Sequence, residues 1–318
     1  MIQLNSFMLI SDMKKFILKI ILFFFILIIT DFLIGKGLNL AYHHTISGNT
    51  ARYDYIYSKT KEDILVLGSS RALDNFVPDT IEKYMNMSCY NCGESASGIM
   101  LCYPRLNIIK ERYTPKIIIY DLYYGDLIQS SELRSLKTLK PYYNDKNVSE
   151  MYERIDPTLR LKMLSSLYKY NSEFIDYIAD NIHHTNYFKK GQYVLGHTVS
   201  DRNVNVQSME SIKVDSVKLY YFEKLIKENK DKMSIYFTVS PSYKNKDGKL
   251  FKPIITICHK YNMPVFNHYS DTTFSSHYEY FMDPYHLNMT GAAKFTQTIA
   301  KEIADYRASV ASYPYKHK

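Results

Sequence analysis

Two short stretches hold residue types that could do nucleophilic chemistry. In Asp63-Ile64-Leu65-Val66-Leu67-Gly68-Ser69-Ser70-Arg71, four consecutive aliphatic residues run into a small-residue turn. Such a run reads as a strand buried on both faces, as in a parallel sheet. A serine just past it stands at the carboxyl edge of the sheet, where open α/β folds bind ligands. Its N–H also lies near the start of the next helix, which favours developing negative charge. Far downstream comes Asp283-Pro284-Tyr285-His286-Leu287, just before the final helical pattern. Three residues apart in a turn, a carboxylate reaches imidazole Nδ1–H and leaves Nε2 facing outward. Each stretch has a plainer account alone: a serine capping a helix, or a capping aspartate beside a surface histidine. Together they supply what a serine nucleophile needs, a base and the group that fixes its tautomer.

The elements that must position these residues are legible from strand and helix periodicity. Strands are expected at Ile64–Leu67, Ser88–Asn91, Lys116–Asp121, Ser234–Val239 and Pro264–Phe266. Helical patterns separate them: Ala72–Met85, Ser97–Tyr113, Ser211–Asn229, Leu250–Tyr261 and Thr290–Tyr306, with Thr290 as a cap. Alternating strands and helices imply an α/β fold with a parallel sheet in three layers. Residues 126–206 break the rhythm with runs such as Ser130–Leu139 and Thr158–Asp180, and read as an inserted helical subdomain over the carboxyl edge.

The amino terminus differs from the rest. From Phe16 to Ile34 only Lys19, Thr30 and Asp31 interrupt an apolar run. That is about long enough to cross a hydrocarbon core of roughly 30 Å. Lys14 and Lys15 precede it, which directs the amino terminus to the cytoplasm and the domain outside. Met13-Lys14-Lys15 reads as a natural start, and no Ala-x-Ala-like or lipobox site follows the run, so an uncleaved signal anchor is expected. The division is a tip and anchor over 1–35, a stalk over 36–60, and a domain over 61–318. The expected location is a bacterial inner membrane, crossed once, with the domain periplasmic.

Composition narrows the function class. The chain has 318 residues and a formal net charge of +8. Its basic residues are dispersed, which argues against nucleic-acid binding. The 31 tyrosines and no tryptophan suit wet amphipathic surfaces such as carbohydrate-facing clefts, or reflect genome bias. Cys89, Cys92, Cys102 and Cys258 have no framework spacing and read as buried free thiols, with no second ligand pair for zinc. His43-His44 and His183-His184 read as surface residues.

These pieces resemble the SGNH (GDSL-like) hydrolase family over about residues 61–125 and 207–308. The family's strand-Gly-Asp-Ser block is matched by Leu67-Gly68-Ser69-Ser70, with Ser69 in the Asp place. Its Asp-x-x-His-Leu block is matched by Asp283–Leu287. The Gly-Ser-Ser-Arg variant and the anchor also resemble proteins that O-acylate or D-alanylate envelope polymers such as alginate or teichoic acid. The resemblance implies a flavodoxin-like three-layer α/β/α sheet, no cofactor and no metal. It assigns Ser70 as nucleophile, His286 as general base and Asp283 as its orienting partner. The oxyanion hole would take the N–H groups of Ser70 and Gly93, with Ser95 or Gly98 as alternates to Gly93. The third block, Gly-x-Asn-Asp, is not matched: Asp121-Leu122-Tyr123-Tyr124-Gly125-Asp126 stands there without an asparagine. Arg71 would bind an anionic substrate group or pair with a nearby acid. The expected function is a serine esterase or O-acyltransferase acting on an acylated glycan or small ester, within an envelope acylation complex. The alternative is a non-catalytic glycan-binding or scaffold protein of the same fold. Tyr142, Tyr143, Tyr168 and Tyr170 of the insertion are the expected surface for stacking a sugar.

Overall fold

The computed structural model describes residues 2–128, 135–171, 173–183, 186–193, 214–244 and 248–312. A five-stranded parallel sheet forms its centre, in the order β2-β1-β3-β6-β7. The strands are β1 (Ile64–Gly68), β2 (Cys89–Asn91), β3 (Ile117–Asp121), β6 (Ser234–Val239) and β7 (Val265–Asn267), with a separate hairpin of β4 (Phe188–Lys189) and β5 (Gln192–Tyr193). The order departs from chain order at β1, whose two neighbours follow it from opposite sides. In such sheets the crevice at the carboxyl ends beside that switch is where ligands bind.

Strand alternation splits the core in two. Ile64, Val66, Ile117 and Ile119 face one layer with Phe76, Ile81, Phe295 and Ile299. Leu65, Leu67, Ile118 and Tyr120 face the other with Leu106, Phe222, Leu225 and Ile254. Both faces are covered, which is why these strands read as unbroken aliphatic runs. The α/β three-layer architecture is therefore as the sequence implied.

The helices, in chain order, are α1 (Ile2–His44), α2 (Gly48–Asp54), α3 (Ser70–Asn75), α4 (Pro78–Met85), α5 (Ile99–Lys110), α6 (Lys146–Ile155), α7 (Leu159–Lys162), α8 (Ser166–Tyr170), α9 (Phe174–Ile182), α10 (Ser216–Asn229), α11 (Lys252–Lys260), α12 (Thr272–Ser275) and α13 (Met289–Ser312). Three differ from expectation for local reasons. The single helix expected over 72–85 is two, because Pro78 starts a new one and disfavours helix at Val77 before it. The final helix is capped by Asn288, whose Oδ1 accepts from Gly291 N at 3.0 Å, rather than by Thr290. Helix α10 starts later than Ser211, with Asp215 capping Val217 and Lys218; residues 194–213 lie outside the described ones.

Residues 36–60 are not a free stalk. Helix α1 runs on through them to His44, and Tyr42, Tyr53, Ile56 and Tyr57 are buried in the α5-side core. Arg112 ties the end of this segment down by donating to the carbonyls of Tyr57 and Thr60. Among the described residues α1 is the one helix long and apolar enough to cross a membrane. The described residues between 146 and 182 form α6–α9, and the β4–β5 hairpin follows around Lys190-Gly191, both at positive φ. All four cysteines are buried and free.

Candidate active site

Strand β1 ends at Gly68, whose φ of +139° suits glycine alone; a Cβ there would meet Asp121 O at 2.7 Å. The sharp turn it permits carries Ser70 into the first turn of α3, where its N–H has no intrahelical acceptor. The two serines divide their tasks. Ser69 is the N-cap, with its Oγ 3.4 Å from Arg71 N. Ser70 Oγ lies 2.7 Å from His286 Nε2.

His286 is held from its other side. Asp283 Oδ2 lies 2.7 Å from His286 Nδ1, while Asp283 Oδ1 accepts the N–H groups of Tyr285 and His286 at 2.8 and 2.9 Å. Leu287 N donates to Asn75 Oδ1 at 2.9 Å, which bolts the histidine turn to the end of α3. Burial pushes the Asp283 carboxyl up, but the His286 hydrogen bond and charge with the two N–H donors outweigh it and hold it below its ordinary value. An ionised Asp283 accepting from Nδ1–H leaves Nε2 free to take a proton from Ser70. The two stretches that carried the sequence reading therefore meet in space.

The expected oxyanion donor at Gly93 is already engaged. Gly93 N donates to Asn91 Oδ1 at 2.9 Å. Asn91 is itself fixed, since its Nδ2 donates to the carbonyls of Ala72, Leu73 and Phe76. Gly93 serves instead as a close-packing position, because a Cβ there would overlap the backbone of α3 at Leu73. The N–H of Glu94 is likewise bound, to Gly68 O at 3.0 Å. At the unmatched third block, Leu122 N and Tyr123 N donate to Thr238 O and Asp126 Oδ2.

Arg71 does not face the cavity beside Ser70. It is 2% exposed, donates to Ser240 O, stacks near Phe251 and Tyr269, and lies 3.8 Å from Asp121 Oδ2. Asp121 in turn accepts from Thr238 Oγ1, Ser240 N and Ser240 Oγ at 2.9–3.0 Å. Of the two partners the sequence offers Arg71, a substrate anion or a nearby acid, the structure supplies the acid, Asp121.

A cavity of about 540 Å³ opens at Ser70 and His286. Helix α2 supplies Asn49, Arg52 and Tyr53, and the hairpin supplies Tyr187, Phe188 and Tyr193. That size and aromatic lining suit a small organic ligand. The tyrosines expected to stack a sugar are elsewhere: Tyr142 packs on Tyr42 and Tyr57, Tyr143 on Tyr152, Tyr170 on Tyr177, and Tyr168 packs against the same core. Arg52 reaches Glu94 and the carbonyls of Asn91, Gly93 and Gly191, so its guanidinium is a strut between α2, the β2 loop and the hairpin. Arg105, fully buried on α5, meets the same Glu94 Oε2 at 3.3 Å.

Asp74, one turn beyond Ser70 on α3, was not singled out from sequence. It is 8% exposed, lines the cavity, and its Oδ2 lies 4.0 Å from His286 Nε2. Burial raises its carboxyl to about 7; His286 opposes that, Asp283 adds to it, and Arg52 opposes it. A value raised above the ordinary 3.9 or so means the folded state holds this proton more tightly. That stabilisation is complete below about pH 4 and is lost as pH rises through about 7. Asp74→Asn should therefore gain stability over the parent on going from pH 5 to pH 9, by about 1–3 kcal/mol, in urea unfolding of detergent-solubilised protein. A mutant-minus-parent difference that stays flat with pH would show that Asp74 titrates as an ordinary carboxyl.

No family model and no curated protein sequence matches the chain. Among solved structures it is similar to a candidate acylhydrolase of Bacteroides fragilis, at 12% identity and a TM-score of 0.40, covering 81% of this chain and 97% of that one. It is also similar to the lipase/acylhydrolase of Enterococcus faecalis, at 11% identity and a TM-score of 0.35, covering 76% and 96%. Likeness at this level carries no functional weight, and the fold rests on the sheet order and register.

Proposed function

We propose that this chain is a membrane-anchored serine esterase or O-acyltransferase of the SGNH type, acting on acyl groups of a cell-envelope or extracellular glycan. One observation carries the reading: Ser70 Oγ, His286 and Asp283 form an unbroken pair of 2.7 Å contacts at the mouth of an aromatic cavity. In this reading Ser70 Oγ attacks the ester carbonyl as His286 Nε2 takes its proton. His286 returns that proton to the departing alkoxide, leaving acyl-Ser70. Water or a glycan hydroxyl, deprotonated by the same nitrogen, then takes the acyl group and frees Ser70. Asp283 steadies the imidazolium throughout, and an ionised Asp74 at 4.0 Å adds to that. The anchor is α1, with Lys14 and Lys15 directing its amino terminus to the cytoplasm.

The oxyanion hole is where this site is weak. Gly93 N–H is engaged by Asn91, so the hole falls to Ser70 N–H and to the alternate Ser95 on the cavity wall. Each missing donor costs typically 10²–10³ in rate. Positioning of a bound acceptor can make up several kcal/mol, which favours transfer to a docked hydroxyl over attack by free water. Tyr53, Tyr187 and Tyr193 on the cavity wall take over the stacking role first given to Tyr142, Tyr143, Tyr168 and Tyr170. Hydrolysis of p-nitrophenyl acetate should be slow, and acyl release should speed up markedly with the right glycan acceptor. Fast hydrolysis indifferent to glycan would leave a plain esterase. The engaged Gly93 N–H also favours a second reading, a binding protein that holds a ligand in this cavity without turnover; it predicts no acyl-enzyme at all.

A further inference from the structure

Helices α8 and α9 are bonded to α1 at and beyond the end of its apolar stretch, and α7 leads directly into α8. Asp31, three residues before Ile34, caps α8: its carboxylate accepts from Ser165 Oγ at 2.6 Å, Ser166 N at 2.7 Å and Leu167 N at 3.0 Å. Higher up, Asn39 Nδ2 donates to Tyr170 OH at 2.8 Å, and Asn181 Nδ2 donates to Thr45 Oγ1 at 2.9 Å. Tyr42 and Tyr177 meet edge to face at 5.3 Å. A carboxylate within an apolar span is costly unless a partner satisfies it, and here the partner is the first turn of α8. Whatever medium surrounds α1 near Asp31 therefore surrounds α8 as well.

The outer sides of these helices carry an apolar surface. Leu161 and Leu164 on and after α7 are 73% and 78% exposed, and Leu167 on α8 joins them. On α9, Ile175, Ile178 and Ile182 recur at i, i+3 and i+7 and face outward, while Tyr177 on the opposite side is buried. Arg160 is exposed beside Leu161, a cation placed to meet a lipid headgroup, while Lys162 is paired with Asp156. So many large apolar side chains exposed on three successive short helices are unusual for a face bathed in water.

We propose that α7, α8 and α9 are sunk into the same leaflet as α1, so that lipid covers Leu161, Leu164, Leu167, Ile175, Ile178 and Ile182. The inference rests on the reading of α1 as a membrane span and goes beyond it: the domain is seated in the bilayer rather than tethered above it. Only Thr45-Ile46-Ser47 separates α1 from α2, and α2 supplies Asn49, Arg52 and Tyr53 to the cavity, so the seat also holds the cavity near the membrane surface.

The test uses the full chain in nanodiscs of phosphatidylethanolamine and phosphatidylglycerol, with single cysteines at Leu164, Ile175 or Ile178 labelled with an environment-sensitive fluorophore. The four native cysteines are buried, and the parent supplies their background. A label at Leu22 in α1 reports the span, and one at exposed Val310 in α13 reports water. Nitroxide-labelled lipid should quench the Leu164, Ile175 and Ile178 probes several-fold more than the Val310 probe, with iodide showing the reverse. Lipid quenching at Leu22 with iodide quenching at Leu164 and the α9 positions would overturn the seat while leaving the span. Loss of lipid quenching at Leu22 itself would overturn the span and the seat together.

Discussion

Ser70→Ala and His286→Ala should each cut kcat/KM for an aryl ester by at least about 10⁴, and the double mutant should be scarcely worse than either single one. The expectation follows from the 2.7 Å contact between Ser70 Oγ and His286 Nε2: with either group gone, the other has no proton to exchange. Residual catalysis would come from the Ser70 N–H and from cavity binding alone. Losses that multiply in the double mutant would mean that the two residues act separately, and the proposed mechanism would fail.

Glu94→Ala should cost about 3–5 kcal/mol of stability, read as a drop in the urea midpoint with little change in slope. Glu94 Oε2 is 3.2 Å from Arg52 Nη1 and 3.3 Å from Arg105 Nη2, and both guanidinium groups are buried. Removing the shared carboxylate leaves two desolvated cations facing each other, and it loosens α2, α5 and the loop after β2 together. Against a total of about 5–15 kcal/mol, such a loss brings the domain close to unfolding. Glu94→Gln, which can still accept hydrogen bonds, should cost less. A loss below about 1 kcal/mol for the alanine variant would mean that water replaces the carboxylate and the network is not structural.

The parts of this structure legible in the sequence are those fixed by burial and local spacing. Ile64–Leu67 and Ile117–Tyr120 are apolar throughout because both faces of the sheet are covered, so their strand character needs no tertiary information. Asp283 and His286 are three residues apart in one turn, and the Gly68 turn announces where Ser70 must stand. What the sequence hides is pairing between distant segments. Nothing near Arg71 reveals that Asp121 lies across from it, whereas the Asn91 side chain that takes Gly93 N–H sits only two residues away, a local turn that Asn91-Cys92-Gly93 could have announced. Asp74 looks like any polar helix residue until the histidine turn closes over it. The role of α2 was obscured by its neighbour: the apolar run of α1 makes the polar chain after it look like a stalk. The spacing of Tyr53, Ile56 and Tyr57 is nonetheless the stripe of a helix with one buried face. The Lys190-Gly191 turn between Phe188 and Tyr193 was similarly readable as a tight hairpin. The tyrosines of the insertion misled because density of a residue type says nothing about which way it faces; Tyr142 and Tyr170 turn inward onto Tyr42, Tyr57 and Tyr177.

The central claim is that Ser70 is a nucleophile activated by His286, and intact-protein mass spectrometry after fluorophosphonate treatment tests it most directly. The full chain should gain one adduct, mapped by proteolysis to the peptide holding Ser69 and Ser70, with fragmentation placing it on Ser70. Ser70→Ala should gain none, and Asp74→Asn should still be labelled. No adduct on the parent, or an adduct that persists in Ser70→Ala, would contradict the account and leave the cavity as a binding site without covalent chemistry.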